Sequence, residues 1–127
     1  QGVLERAAKY SKERVTFGKP ICENQAIAFK LAEMATQIDV ARAMLYNTAR
    51  MSDNGVPFSK EATMTKLFCS EMCVRVCDMG LQIMGGYGLC DDYQVERMYR
   101  DAKLLTIGEG TSEICRMVIG RHVLKEY

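Results

Sequence analysis

The feature that most constrains this chain is one long apolar stripe. Between about Asn24 and Ser52, Ile27, Leu31, Met34, Ile38, Ala41 and Leu45 recur every three or four residues. At about 100° per residue they line one narrow face of a helix. Phe29, Val40, Met44 and Met51 form a second stripe roughly opposite. A helix with two apolar stripes is sandwiched between two sets of neighbours. In a chain of 127 residues, the second set is expected from another domain or another subunit. Asp53-Asn54-Gly55-Val56-Pro57 ends the helix with strong turn chemistry.

The other segments follow the same period. Gly2 to about Arg14 reads as an amphipathic helix with Leu4, Ala7, Ala8 and Ser11 inward, and Phe17-Gly18-Lys19-Pro20 stops it. A third helix is expected from Ser59, its N-cap, to about Met84. One of its faces carries Ala62, Cys69, Cys73, Val76, Gly80 and Ile83, and another carries Met64, Leu67, Val74 and Leu81. Charges are sparse after Glu71, so this helix is expected to be the most buried. Gly85-Gly86-Tyr87-Gly88 terminates it. A short helix spans about Tyr93 to Ala102. The last begins near Ser112 behind Thr111 as N-cap, with Ile114, Met117, Val118 and Leu124 on one face and Ile119 and Val123 on another. No strand-period alternation is visible. The expected class is all-α: an antiparallel up-down four-helix bundle with a short extra helix before the last, forming a single domain over residues 1–127.

Composition narrows the function. A net charge of +1 gives no bulk attraction to nucleic acid or anionic membrane. No apolar run reaches the ~18 residues of a membrane span. Cys69, Cys73 and Cys77 lie four apart on one helix face, the wrong geometry for a disulfide framework. Cluster and zinc spacings are mostly tighter and loop-borne, so these thiols read as core packing rather than metal ligands. The chain opens at Gln1-Gly2 directly into a helix, without an initiator Met, and is expected to be part of a longer protein.

One stretch is arranged for chemistry. In Leu104-Leu105-Thr106-Ile107-Gly108-Glu109-Gly110-Thr111-Ser112-Glu113-Ile114, the carboxylate of Glu109 stands between two glycines just before a helix. Neighbours without a Cβ allow close approach of another molecule, and a carboxylate held that way can serve as a general base. The ordinary alternative is an acidic loop residue near a helix N-terminus, where negative charge is favoured. Glu113, four residues on, does not flank a bond with Glu109, so glycosidase-type chemistry does not fit. His122 has no nucleophile placed beside it and reads as a surface residue. Gly85-Gly86-Tyr87-Gly88 follows a helix rather than a strand, which rules out the Rossmann and P-loop contexts but leaves a turn able to bind an anion. Arg14, beside Phe17, can hold a phosphate or stack on a ring, or be an ordinary surface residue.

Taken together, these pieces resemble the C-terminal helical domain of the flavin-dependent acyl-CoA dehydrogenases. The carrying motifs are Arg14-Val15-Thr16-Phe17-Gly18-Lys19-Pro20, Asn24-Gln25-Ala26-Ile27, Leu31-Ala32-Glu33-Met34, Gln82-Ile83-Met84-Gly85-Gly86-Tyr87-Gly88, Tyr99-Arg100-Asp101-Ala102-Lys103 and Ile107-Gly108-Glu109-Gly110-Thr111-Ser112-Glu113-Ile114. They occur in the family's order and spacing across essentially the whole chain.

The resemblance implies a three-domain flavoenzyme of which this is the C-terminal bundle, assembled as a dimer or tetramer. It implies FAD as cofactor, oxidation of an acyl-CoA to the trans-2-enoyl-CoA, and an electron-transferring flavoprotein as acceptor. Glu109 matches the base that takes the α-proton, and its N–H matches a donor to the thioester carbonyl. Gly110 matches a position lining the thioester. Arg14, Thr16, Phe17 and Gln25 match contacts to the adenosine-diphosphate part of an FAD held mainly by a neighbouring subunit. Gln82, Gly85 and Gly86 match contacts to that same cofactor. Thr111 and Glu113 match positions at the FAD of their own subunit. The implied location is cytoplasmic in a bacterium and the mitochondrial matrix in a eukaryote.

Two positions depart from the family pattern. Gly108 stands where many members carry an aromatic residue, and Glu113 stands where several have Gln. Two other readings remain at this level: an acyl-CoA oxidase-type flavoprotein, and a helical assembly module without catalysis. The isolated bundle is expected to be inactive.

Overall fold

The α2–α3 hairpin forms the spine of the fold. In the computed structural model, which describes all 127 residues, α2 runs from Gln25 to Asp53 and α3 from Ser59 to Met84. They are antiparallel: the Thr48 and Thr65 hydroxyls hydrogen-bond at 2.8 Å, and Arg75 donates to Gln37 at 3.4 Å nearer the other end. Before them lie α1 (Gly2–Glu13), a hairpin of β1 (Val15–Thr16) and β2 (Lys19–Pro20), and a 3₁₀ turn over Ile21–Glu23. After them come 3₁₀ turns over Gly85–Leu89 and Asp91–Tyr93, then α4 (Val95–Leu104) and α5 (Ser112–Glu126).

Every other helix packs on α3. α1 runs parallel to it, with Val3 against Gly80 and the Tyr10 ring against Tyr87. α4 and α5 both descend antiparallel to it. Together they make one broken rod: α4 flanks Asp78 to Gln82, whereas α5 pairs Arg116 with Glu71 and Glu126 with Lys60. The break between them is the Glu109 segment. The expected up-down bundle with a short helix before the last is therefore the observed one.

The bundle has two unlike halves. α1 has 12 residues against 29 in α2, so it spans ~18 Å of a rod more than twice as long. Where α1, α2, α3 and α4 meet, the core is apolar: Ala7, Met34, Val76, Ile83, Val95 and Ala102 are all buried. Toward the α2–α3 turn, α2 and α5 flank α3. The buried residues of that half are Thr48, Thr65, Ser70, Ser112 and Cys115. Its apolar side chains point out, including Leu45 at 53% and Leu124 at 83% exposure.

Several expectations are corrected in detail. Leu45 belongs to the expected inward stripe but is exposed; Thr48 takes the inward position. Ile114, Met117 and Leu124 of α5 are likewise exposed, so their common face points away from this bundle. Ser59 is the first residue of α3 rather than its N-cap; Phe58 occupies the cap position and makes no side-chain bond. Residues 15–20, of which Phe17–Pro20 are expected only as a helix stop, form a β-hairpin of two-residue strands whose turn residues Phe17 and Gly18 have φ of 51° and 81°. Each strand has only two residues, too few to show alternation. Thr111 is the N-cap of α5, accepting from the Ile114 N–H at 3.3 Å. Of the three spaced thiols, Cys77 is buried in the core and Cys69 and Cys73 pack against it.

Gly80 lets α1 approach α3. A Cβ there would lie 2.2 Å from Cγ1 of Val3, whose branched side chain has few rotamers. Gly80→Ala is expected to cost about 1–3 kcal/mol despite Ala's higher helix propensity. Urea denaturation beside Gly86→Ala, whose Cβ would meet nothing within 4 Å, separates overpacking from a general effect of removing glycine.

Candidate functional site

The break between α4 and α5 is held from both ends. As α4 unwinds, Thr106 N–H bonds to Lys103 O, and Ile107 and Gly108 N–H both bond to Leu104 O. The Ser112 N–H then closes the loop on Thr106 O at 3.0 Å. Inside that closure Glu109 has φ 56° and Gly110 φ 96°, two consecutive left-handed residues. Gly110 is the residue type this requires; Glu109 adopts it at a cost. The N–H groups of Glu109, Gly110 and Thr111 make no hydrogen bond within the chain. Successive free amides in such a turn form a pocket for an anion or a carbonyl oxygen.

The Glu109 carboxylate is exposed and borders a hollow of about 520 Å³ with Lys66, Cys69, Ser70, Leu104, Leu105 and Gly108. Burial pushes the Cys69 thiol up, which keeps it neutral. Lys66 crosses from α3 to donate to the Gly110 carbonyl. Lys66 is a residue that sequence reasoning missed: its partner lies 44 positions away, and no local pattern links them.

Five of the expected cofactor residues gather elsewhere, at the α1 end of the bundle. Arg14, Thr16, Gln82, Gly85 and Gly86 line one open hollow of about 560 Å³. The Arg14 guanidinium lies 5.5 Å from the Tyr87 ring centroid, a cation–π contact that steadies it. Tyr10, Tyr87 and Tyr93 pack against one another with centroids 5.9 Å apart. Gly85 has φ 59°, and a Cβ on Gly85 or Gly86 would point into open space. Phe17 projects fully exposed from the hairpin tip, and Gln25 opens α2; neither lines the hollow. Thr111 and Glu113 line a third hollow of about 360 Å³ with Glu71, Arg75, Lys103 and Ser112. Phe17 and Gln25 apart, the structure divides the expected residues among three places.

The sequence profile of the acyl-CoA dehydrogenase C-terminal domain matches residues 1–124. The chain belongs to the acyl-CoA dehydrogenase family. It is similar to a probable acyl-CoA dehydrogenase of Bacillus subtilis, 54% identical over 98% of this chain and 33% of that protein. It is also similar to a subunit of the caffeyl-CoA reductase–Etf complex of Acetobacterium woodii, 49% identical over 99% of this chain and 33% of that one. Among solved structures it superposes on butyryl-CoA dehydrogenase from Megasphaera elsdenii with a TM-score of 0.94, 45% identity, 96% of this chain and 32% of that chain. The chain therefore spans about a third of the length of the relatives it matches.

Acyl-CoA dehydrogenases are flavoproteins, so each hollow can be tested for its fit to FAD. The Arg14 hollow offers a guanidinium, the Thr16 hydroxyl, the phenols of Tyr10 and Tyr87, the Gln82 amide and two glycines, and no acidic side chain. That set suits a diphosphate. The Thr111 hollow sets Glu71 and Glu113 against Arg75 and Lys103, which suits a neutral polar group better than an anion. Glu113 is held below the ordinary carboxylate range by its own backbone N–H and then by the Thr111 hydroxyl. It stays charged, so it does not suit a diphosphate partner. The Ser112 hydroxyl is buried there, beside the Glu71 carboxylate.

The start of α5 is anchored by Arg116, which donates to Glu71 at 2.6 Å and holds its carboxyl below the usual range. A lowered folded-state pKa means that the bond stabilises above the ordinary carboxylate range and is lost as pH falls through the lowered value. Glu71→Gln is expected to cost about 0.5–1 kcal/mol at pH 7 and less at about pH 3. Urea denaturation at the two pH values checks it.

Proposed function

We propose that this bundle is the C-terminal third of an FAD-dependent acyl-CoA dehydrogenase, in which Glu109 removes the substrate's α-proton. The observation that carries the reading is the turn itself. An exposed carboxylate is presented from a strained left-handed position, beside three unpaired amides and an apolar hollow. The family membership supplies a reaction that uses each part.

An α-proton of a thioester is too weakly acidic for a carboxylate in water. As the proton leaves, negative charge develops on the thioester oxygen. The Glu109 N–H, free and oriented by the turn, stabilises that charge; donors of this kind are often the largest catalytic term. Gly110, with no side chain, lets the thioester close on the turn. An acyl chain lying along Leu104 and Leu105 excludes water from the carboxylate and strengthens it as a base. FAD, when bound, supplies the acceptor for the hydride leaving the β-carbon, so that the acyl-CoA becomes the trans-2-enoyl-CoA.

Arg14, Thr16, Gln82, Gly85 and Gly86 are assigned to the diphosphate of an FAD held mainly by a neighbouring subunit. Phe17 and Gln25 flank its adenosine. Thr111 and Glu113 face the neutral part of the FAD of their own subunit. The exposed apolar faces of α2 and α5 are then covered by other domains and subunits of a dimer or tetramer. An electron-transferring flavoprotein is the proposed electron acceptor, supported by the relationship to an Etf-complex subunit. That relative is named a reductase, which favours a second reading in which the same residues run the reaction toward the saturated thioester, Glu109 returning the α-proton.

In the full-length protein, Glu109→Gln is expected to retain FAD and lose about 10²–10⁴-fold in the rate of flavin bleaching by acyl-CoA. Anaerobic stopped-flow absorbance reads this. Bleaching at the parental rate would sink the assignment. A parallel titration with a panel of acyl-CoA and enoyl-CoA thioesters fixes chain length and direction, and oxygen consumption by the reduced protein separates a dehydrogenase from an oxidase.

A further inference from the structure

We propose that Lys66 is a positioning residue for the base: anchored in α3, its ammonium holds the Gly110 carbonyl and thereby sets the Glu109 carboxylate and the free amides in their working geometry. The inference rests on Glu109 being the base.

Between the closure at Thr106 and the first turn of α5, residues 109–111 make no backbone hydrogen bond through their N–H groups. Two left-handed residues in succession are an unfavourable state for Glu109 and persist only when the surroundings over-determine it. The Gly110 carbonyl is the point where the turn is gripped from outside. It stands before the N-cap and accepts no backbone bond outside the helical ladder; besides Lys66 it receives only the long Cys115 thiol contact at 3.9 Å.

The partner is costly for so modest a task. Lys66 is half-buried and forms none of the five ion pairs in the chain. Withdrawing an ammonium from water and ordering its four-carbon stem is unfavourable. A carbonyl at a loop edge is satisfied by water without such expense. A charged donor does what water cannot: it ties the turn to the most enclosed helix of the bundle. An ammonium also has three donors, of which one is used within the chain. Lys66 borders the same hollow as Glu109.

The test uses the full-length holoprotein with butyryl-CoA as probe, together with its α-dideuterated and β-dideuterated forms. Lys66→Met keeps the stem and removes the charge. Flavin bleaching is expected to slow by about 10- to 100-fold, the range for a reacting group displaced by about 1 Å. The α-deuterium isotope effect is expected to rise with no matching rise in the β-deuterium effect, because proton removal alone is impaired. FAD content and butyryl-CoA affinity are expected to stay within about twofold of the parent, since the lost interaction acts in the transition state. Lys66→Arg, which restores a cationic donor, is expected to recover most of the rate. If Lys66→Met is not obtained folded, Lys66→Gln is read in the same way.

Bleaching within about twofold of the parent overturns the proposal. So does a slower rate with unchanged isotope effects and lowered FAD content, the mark of a purely structural anchor. Glu109→Gln measured alongside tells the two readings apart. If that variant bleaches normally the base assignment fails and the Lys66 proposal falls with it. If it is inactive while Lys66→Met is normal, only the Lys66 proposal fails.

Discussion

Burial of α3 is the constraint on which the rest depends. Every other helix packs against it, and no two others share so continuous a seam. That geometry asks α3 to present different chemistry along its length. Near its C-terminal half it offers Val76, Gly80 and Ile83 to three neighbours at once, and the result is an apolar core. Near its N-terminal half it offers Thr65 and Ser70 to two neighbours, and the seam there is small and polar. The site occupies the junction between these regimes. A loop with three free amides is far cheaper beside a polar seam than within a dry core, where each unpaired N–H carries a full desolvation cost.

Breaking the fourth rod in its middle has a structural logic. An unbroken helix over residues 95–126 would present side chains but no backbone donors, since its amides would all be spent on the ladder. Ending α4 at Leu104 and restarting at Ser112 releases amides midway along the bundle wall. The two ends are then secured independently: Thr111 caps α5, Arg116 ties its first turns to Glu71, and Ser112 N–H closes the loop on Thr106. The free donors are thus set in a frame that does not depend on them.

Much of this was legible from side-chain period. The five helices, their approximate ends and the Thr111 cap follow from spacing and turn residues alone. What period cannot reveal is which of two apolar faces has its neighbour within the same chain. Leu45 and the Ile114–Met117 face are as hydrophobic as any buried stripe, yet no neighbour within residues 1–127 covers them. The hairpin at 15–20 escaped because two-residue strands have no period. Family resemblance grouped Arg14 with Gln82, Gly85 and Gly86, and these do share a hollow. The Lys66–Gly110 contact had no local signal, since it depends on how two helices distant in sequence lie side by side.

The hairpin tip has a consequence for association. Phe17 sits in the left-handed region, where a bulky side chain is rare, and its ring is wholly in solvent. Folding has already restricted that backbone through the paired strands on either side. A surface that receives the ring therefore meets a nearly rigid probe, and little conformational freedom remains to be surrendered on contact. The strain is already borne within the chain and is not added on contact.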